Sequence, residues 1–407
     1  MLEELRLPEK WEEYYAYKTS LACPKDIAGR LRAFIDAKGY LEVCDRIDRG
    51  EPFALPFRSV VSKQSSQKKR VVYTYPYAEN MVLKLLTYLL LRKFDPIFDE
   101  GLFSFRPGRS AQDAIRFLTR LPGIYEKYTY KVDISNYFNS VKVPRLLPML
   151  RQTLSEDPKL ADFLCALLEE PRVIAGREEI TEQKGIMAGT PLASFYANLY
   201  LRDLDESFAE RGILYARYSD DIVVFADSQE ELQSYAADVR TGLAAHGLEI
   251  NRDKESFSTP EEGFTFLGFF MCKGMVDIAP GSIRKLKQKM RRKTRALQRW
   301  AGRGEIGGER AAKAFCRIFN RKLLENSHDS DLTWSYWYFP VINTTAGLHE
   351  IDRYAQDCMR VLVSGRHNKA RFNTRYEDLK RLGYRSLVHA YYSCEETTER
   401  KDKDEDQ

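Results

Sequence analysis

The chain has 407 residues, 43% hydrophobic and 12% aromatic, enough for a sizeable buried core, which excludes a wholly disordered chain. Its net charge is +5, and residues 395–407 hold seven acids and three bases, a net −4 that leaves +9 on the body; such a body suits a polyanionic partner. No apolar run approaches the ~18–20 residues of a membrane span. The charged start, Met1-Leu2-Glu3-Glu4-Leu5, is unlike a secretory signal. The seven cysteines form neither Cys-x-x-Cys nor a zinc spacing, so reduced, mostly buried thiols in a cytoplasmic protein are expected.

In chain order, residues 1–55 read as helical, with Trp11, Tyr14, Tyr15 and Tyr17 among charges. Residues 77–94 read as a buried helix, Asp113 to Leu121 as another, and 144–170 as a Leu-rich helical insertion. Tyr128 to Asp133 alternates like a strand. Two apolar runs, 215–218 and 222–225, flank the turn Tyr218-Ser219-Asp220-Asp221 and read as a hairpin. Residues 207–214 and 228–246 read as helical crossovers. After Pro280-Gly281, Ser282 is expected to cap a basic helix from Ile283 to Trp300. Gly302 to Gly308 reads as a break, and 309–326 as a further helix. The pattern is α+β, an antiparallel sheet backed by helices.

Asp220 and Asp221 sit where nothing apolar needs them, and adjacent carboxylates repel unless a cation separates them. Taken alone, the pair is more often a feature of ordinary hairpins. Asp133, at a strand end, supplies a third carboxylate that can converge on the same place. Three carboxylates of this kind suit two divalent ions, which clamp the attacking and leaving oxygens of a phosphoryl displacement.

With these residues in view the chain resembles reverse transcriptases, from about residue 50 to about 275. Arg58 to Lys63 and Lys69 to Tyr73 resemble the finger hairpin. Phe103 to Ile115, with Phe105-Arg106-Pro107-Gly108-Arg109-Ser110, resembles the second family block, shared with group II intron enzymes. Asp133 to Val141 resembles motif A, Lys184 to Leu201 with Asp205 motif B, and Tyr218 to Asp221 motif C. His246 to Lys254 resembles motif D, and Phe264 to Phe269 motif E, the primer grip. Seven blocks in family order make the resemblance specific.

The resemblance implies roles residue by residue. Asp133, Asp220 and Asp221, with the Ile134 backbone, would hold two Mg2+ ions, with Mn2+ as a substitute. Lys63 and Arg70 would grip the triphosphate. Phe138 would lie under the sugar and exclude a 2′-hydroxyl. Ala188 and Gly189 would line the nucleotide site, and Phe266, Leu267 and Gly268 the primer grip. Lys254 would protonate the leaving pyrophosphate. Beside these stand plainer readings: a solvated basic loop for Lys63 and Arg70, a core ring for Phe138, a surface lysine for Lys254.

Motif B departs from the usual pattern, with Ala188 where a Gln is usual and Ala193-Ser194 where Ser-Pro is usual. The Ser-Gln of diversity-generating enzymes and the Asn-Ala-x-x-His and Val-Thr-Gly of retrons are absent. The C-terminal part is similar to that of bacterial reverse transcriptases of the unknown groups, many of them antiphage defence proteins, with class 2 of these as the expected subgroup. Basic side chains there are candidates for nucleic-acid contact: Arg284, Lys287, Arg291 and Arg295 on the helix, then Arg366, Lys369 and Arg371 among aromatics. Arg106 and Arg109 join them from the second block.

The resemblance implies a right-hand polymerase fold: an N-terminal helical extension (1–55), fingers (56–130 and 142–183), palm (131–141 and 184–280), a basic helical thumb and RNA-binding region (281–393), and an acidic disordered tail (394–407). It implies RNA-templated DNA synthesis from dNTPs, copying a structured non-coding RNA in antiphage defence. No nuclease, integrase or maturase-type module is visible. Alternatives are an intron- or retron-type enzyme, protein-primed or untemplated synthesis, and an RNA-binding protein with a vestigial site.

Overall fold

The computed structural model describes residues 1–21, 23–62, 69–304, 307–325 and 333–394. The chain forms two compact units, Met1–Glu262 and Gly263–Gln407. No described helix is long and apolar enough to cross a membrane.

The first unit contains strands β1 (Phe57–Ser62), β2 (Lys69–Thr74), β3 (Tyr128–Asp133), β4 (Arg172–Ala175), β5 (Glu178–Thr181), β6 (Tyr215–Tyr218), β7 (Asp221–Ala226) and β8 (Ser256–Ser258). They make two four-stranded sheets, ordered β2-β1-β4-β5 and β6-β7-β3-β8. In the second sheet every pairing is antiparallel, so β3 sits centrally between the Asp-Asp hairpin and β8. The helix Gln229–Ala245 packs on β7 and β3. Its start is fixed by Ser228, whose hydroxyl accepts from the Glu231 N–H.

The N-terminal helices Pro8–Ser20, Lys25–Asp36 and Leu41–Asp48 form as expected. Trp11 explains why they pack. Its ring is fully buried, stacks on Tyr40 at 4.7 Å, and its indole N–H donates to the Leu5 carbonyl at 2.8 Å. The helix Tyr77–Lys93 is apolar nearly all round and is buried accordingly.

Three expectations are corrected. The insertion over 144–170 is two helices, Val143–Thr153 and Pro158–Glu169, because Asp157 accepts the Leu160 N–H and starts the second. The crossover expected over 207–214 is the helix Arg202–Glu210; Gly212, at φ 66°, lies beyond its end in a left-handed conformation.

The third correction lies in the second unit, where β9 (Phe264–Phe266), β10 (Phe269–Cys272) and β11 (Met275–Ile278) form an antiparallel sheet. Its helices Pro280–Arg303, Gly308–Leu323 and Ala346–Ser364 pack on one another. Ser282 is not the cap of the first: the helix begins at Pro280, which has no N–H to leave unsatisfied. The Ser282 side chain instead hydrogen-bonds Tyr338. Ile283, Leu286, Met290, Thr294 and Leu297 form its buried stripe. Cys44, Cys165, Cys316 and Cys358 are buried thiols.

Candidate active site

The pairing of three strands brings the aspartates together. In β6–β7, Tyr218 pairs with Asp221, so Ser219-Asp220 is a two-residue turn, and Ser219 takes the left-handed φ of 59° its first position requires. In β3–β7, Asp133 lies directly opposite Asp221, which puts both carboxylates on one face of the sheet. The Ile134 N–H donates to the Asp220 carbonyl at 2.9 Å and ties the turn to the end of β3. On the other side, the Asp133 carbonyl accepts the Asn251 N–H at 2.7 Å, and the Ser135 N–H donates to Glu249 at 2.7 Å. The motif D segment is thus laid beside Asp133, and the Lys254 ammonium pairs with the Asp133 carboxylate.

Electrostatics distinguish these carboxylates from surface acids. Burial pushes the Asp220 carboxyl above its ordinary range, and the charges of Asp133 and Asp221 push it further. Burial also raises Asp221, against the pull of Lys131, whose ammonium lies 3.7 Å away. Among the described residues no three His, Cys, Asp or Glu side chains are already drawn into a metal-holding cluster. Asp133 and Asp221 each lean on a lysine instead. The donor set nevertheless fits a hard divalent cation: it is all oxygen, and its mutual repulsion is what such a charge relieves. Lys131 was absent from the candidates, although it lies two residues before Asp133 and therefore on its face of the strand.

Behind the turn lies a second missed residue. Arg217 is fully buried, and its guanidinium takes Asp205 bidentately, at 2.8 and 2.5 Å. It also donates to the carbonyls of Ser219 and Asn198, both at 3.4 Å. Asp205 receives the Tyr215 hydroxyl at 2.8 Å as well. The sequence signal was a lone arginine inside an apolar strand; its partner, twelve residues earlier on a helix, could not be read from spacing.

The remaining candidates divide. Lys63 lies outside the described residues. Arg70 is exposed on β2. Phe138 is half-buried, beside Tyr137 at 5.7 Å between ring centres. Ala188 is buried; its carbonyl accepts the Tyr73 N–H at 2.8 Å. At Gly189, φ is 102° and a Cβ would meet the Tyr73 carbonyl at 3.0 Å, so the close approach of β2 needs glycine there.

Arg106 is corrected. It is 8% exposed, and its guanidinium is engaged by Asp95 and by the carbonyls of Asp99 and Leu102, so it cannot reach a phosphate. Arg109 is half-buried over Phe103 and donates to the Glu100 carbonyl at 2.6 Å. In the second unit Phe266 is fully buried and cannot touch a primer with its ring; Leu267 and Gly268, at φ 49° and 89°, form the turn. Arg284, Arg291, Arg295, Arg366 and Lys369 are exposed. Lys287 pairs with Glu350, and Arg371 holds Asp357 at 2.7 Å and lies over Phe372.

Residues 61–271, just over half of the chain, match the model of the reverse transcriptase (RNA-dependent DNA polymerase) family, and the chain belongs to that family. Its fold mixes helices with three sheets. Among curated proteins it is similar to the group II intron-encoded protein LtrA of Lactococcus lactis subsp. cremoris, 24% identical over 153 residues, 37% of this chain and 24% of that one. It is also similar to an uncharacterized 91 kDa protein in the cob intron of Schizosaccharomyces pombe, 28% identical over 156 residues, 37% of this chain and 18% of that one. The chain thus aligns with about a quarter or less of the length of these relatives. Apo telomerase from Candida tropicalis is loosely alike in structure, with TM-score 0.46 and 14% identity over 82% of this chain and 60% of that one. Telomerase from Candida albicans with a TWJ fragment of telomeric RNA gives 0.44 and 11% over 83% and 67%.

Proposed function

We propose that this protein is an RNA-templated DNA polymerase that adds deoxynucleotides to a 3′-hydroxyl. The observation that carries the reading is the register that sets Asp133 opposite Asp221, with Asp220 on the adjoining turn. Asp133, Asp220 and Asp221, with the Ile134 backbone, would hold two Mg2+ ions, or Mn2+ in their place. Bound there, the ions supply a lowered pKa for the attacking hydroxyl and charge neutralisation for the leaving pyrophosphate. Lys254, paired with Asp133, is the proposed proton donor to that pyrophosphate. Lys131 balances Asp221. Lys63 and Arg70 neutralise the triphosphate, and Phe138 rejects a 2′-hydroxyl. Arg284, Lys287, Arg291 and Arg295 meet duplex phosphates, while Arg109, Arg366 and Lys369 meet the template RNA.

The finer reading is a cytoplasmic antiphage enzyme that copies a dedicated structured non-coding RNA. Its support is the motif B departures at Ala188 and Ala193-Ser194 and the softer likeness of the C-terminal region to the unknown-group enzymes. The test is to purify the protein from its native locus and sequence the bound RNA and any DNA. One abundant RNA, with complementary DNA lost in the Asp220→Ala/Asp221→Ala variant, is the expected result. DNA matching no RNA would instead mean untemplated or protein-primed synthesis. An intron or retron RNA would place the enzyme with those elements. RNA without DNA, with dNTPs and Mg2+ supplied, would overturn the catalytic reading.

A further inference from the structure

Phe105 stands apart from every other residue of its loop. Its φ is 57°, in the left-handed region that a bulky L side chain enters only under strain. Strain of this kind persists where the surroundings impose it, and the neighbours of Phe105 do so. On one side Ser104 is fully buried; it donates its hydroxyl to Asn198 at 3.2 Å and accepts the Asn198 amide at 2.8 Å. On the other side Arg106 is held by Asp95 and by two carbonyls. Between two buried, hydrogen-bonded residues Phe105 is 37% exposed, so core burial does not account for the strain. What the ring does reach is Phe138, edge-on at 87° and 6.2 Å between centres.

Phe138 is itself set from the other directions. The Tyr137 ring lies against it at 5.7 Å, and Tyr137 is anchored through its hydroxyl to the Ala197 carbonyl at 2.6 Å. The Phe138 carbonyl accepts the Ile186 N–H at 2.9 Å, and Gly185 passes so close that a Cβ would lie 2.4 Å from that carbonyl. The Phe138 backbone is therefore fixed, while the orientation of its half-buried ring depends on what stands beside it. We propose that Phe105 is a positioning residue for nucleotide selection: it braces the Phe138 ring in the pose that excludes a 2′-hydroxyl. This rests on Phe138 acting as the sugar gate.

The test measures kcat/KM for dGTP and GTP on a poly(rC)/oligo(dG) template-primer with the purified full chain, together with thermal unfolding. Phe138→Ala is the control for the gate. Phe105→Gly should lower the dGTP:GTP preference about two- to tenfold, the range an edge-on aromatic pair supplies. It should leave Tm equal or higher, because glycine adopts the left-handed backbone without strain. Phe105→Tyr, which restores the ring edge, should keep the wild-type ratio. The double variant should be no less selective than Phe138→Ala alone. If Phe138→Ala relaxes selection but Phe105→Gly does not, the brace is overturned and the gate stands. If Phe138→Ala leaves the ratio unchanged, the gate and the brace fall together. A drop in Tm with equal losses for dGTP and GTP would make Phe105 a purely structural residue and also overturn the inference.

Discussion

Arg217 is tolerated in the interior because Asp205 takes its charge bidentately and two carbonyls take two more of its donors. Removing one partner leaves the other charged and buried, which costs about 3–5 kcal/mol. Asp205→Asn should therefore destabilise by roughly that amount in denaturant unfolding. Arg217→Met with Asp205→Leu should cost less than either single change, and an additive double variant would show that the pair is not coupled. Lys184 is a second buried charge. It is 4% exposed, and burial lowers its pKa from 10.5 to about 8, with Glu170 and Glu182 offsetting part of that. Between those two values the unfolded chain binds more protons than the folded one, so this site makes stability rise with pH. At pH 7 Lys184→Met should be more stable than wild type by up to about 3 kcal/mol. The advantage should vanish by pH 10.5, the unperturbed value. A difference that stays constant with pH would show that Lys184 keeps its water.

At the scale of elements, strands and helices were legible wherever periodicity ran unbroken. The helix Pro280–Arg303 shows its buried stripe at Ile283, Leu286, Met290 and Leu297 directly in the sequence. Its start was misread because a serine is a good cap in the abstract, whereas Pro280 two residues earlier is a better first-turn residue. Arg284, Arg291 and Arg295 are exposed on this helix. If they contact phosphates, replacing all three by Gln should weaken nucleic-acid binding without changing sequence preference. The slope of log K against log salt should fall by about 2 to 3, near 0.7–0.9 per contact. An unchanged slope, measured by fluorescence anisotropy over a salt series, would place the nucleic acid elsewhere.

For the whole molecule, the division at Glu262 assigns the site chemistry to one unit. Asp133, Asp220, Asp221, Lys131, Lys254 and Arg217 all belong to Met1–Glu262. A fragment of those residues should fold, and Mg2+ should raise its Tm in a manner lost in Asp133→Asn. Failure of Mg2+ to shift the fragment while shifting the full chain would show that ligation needs the second unit. The same scale explains the error at Arg106. A basic residue in a loop beside Arg109 looks available to phosphate, but the fold closes Asp95, Asp99 and Leu102 around it.

The sequence by itself determined the family blocks, the identities of the three aspartates, and the strand–turn–strand that carries two of them. These depend on local chemistry: period-two alternation, turn residues, and carboxylates where nothing apolar is required. Tertiary structure alone decided that Asp133 lies opposite Asp221, that Lys131 and Lys254 neutralise them, and that Arg217 is a buried support. It also decided that Phe105 meets Phe138. Each is a pairing across 12 to 121 residues of chain, or across a strand register. Such pairings are set by how sheets and helices pack, and spacing along a single chain does not encode them.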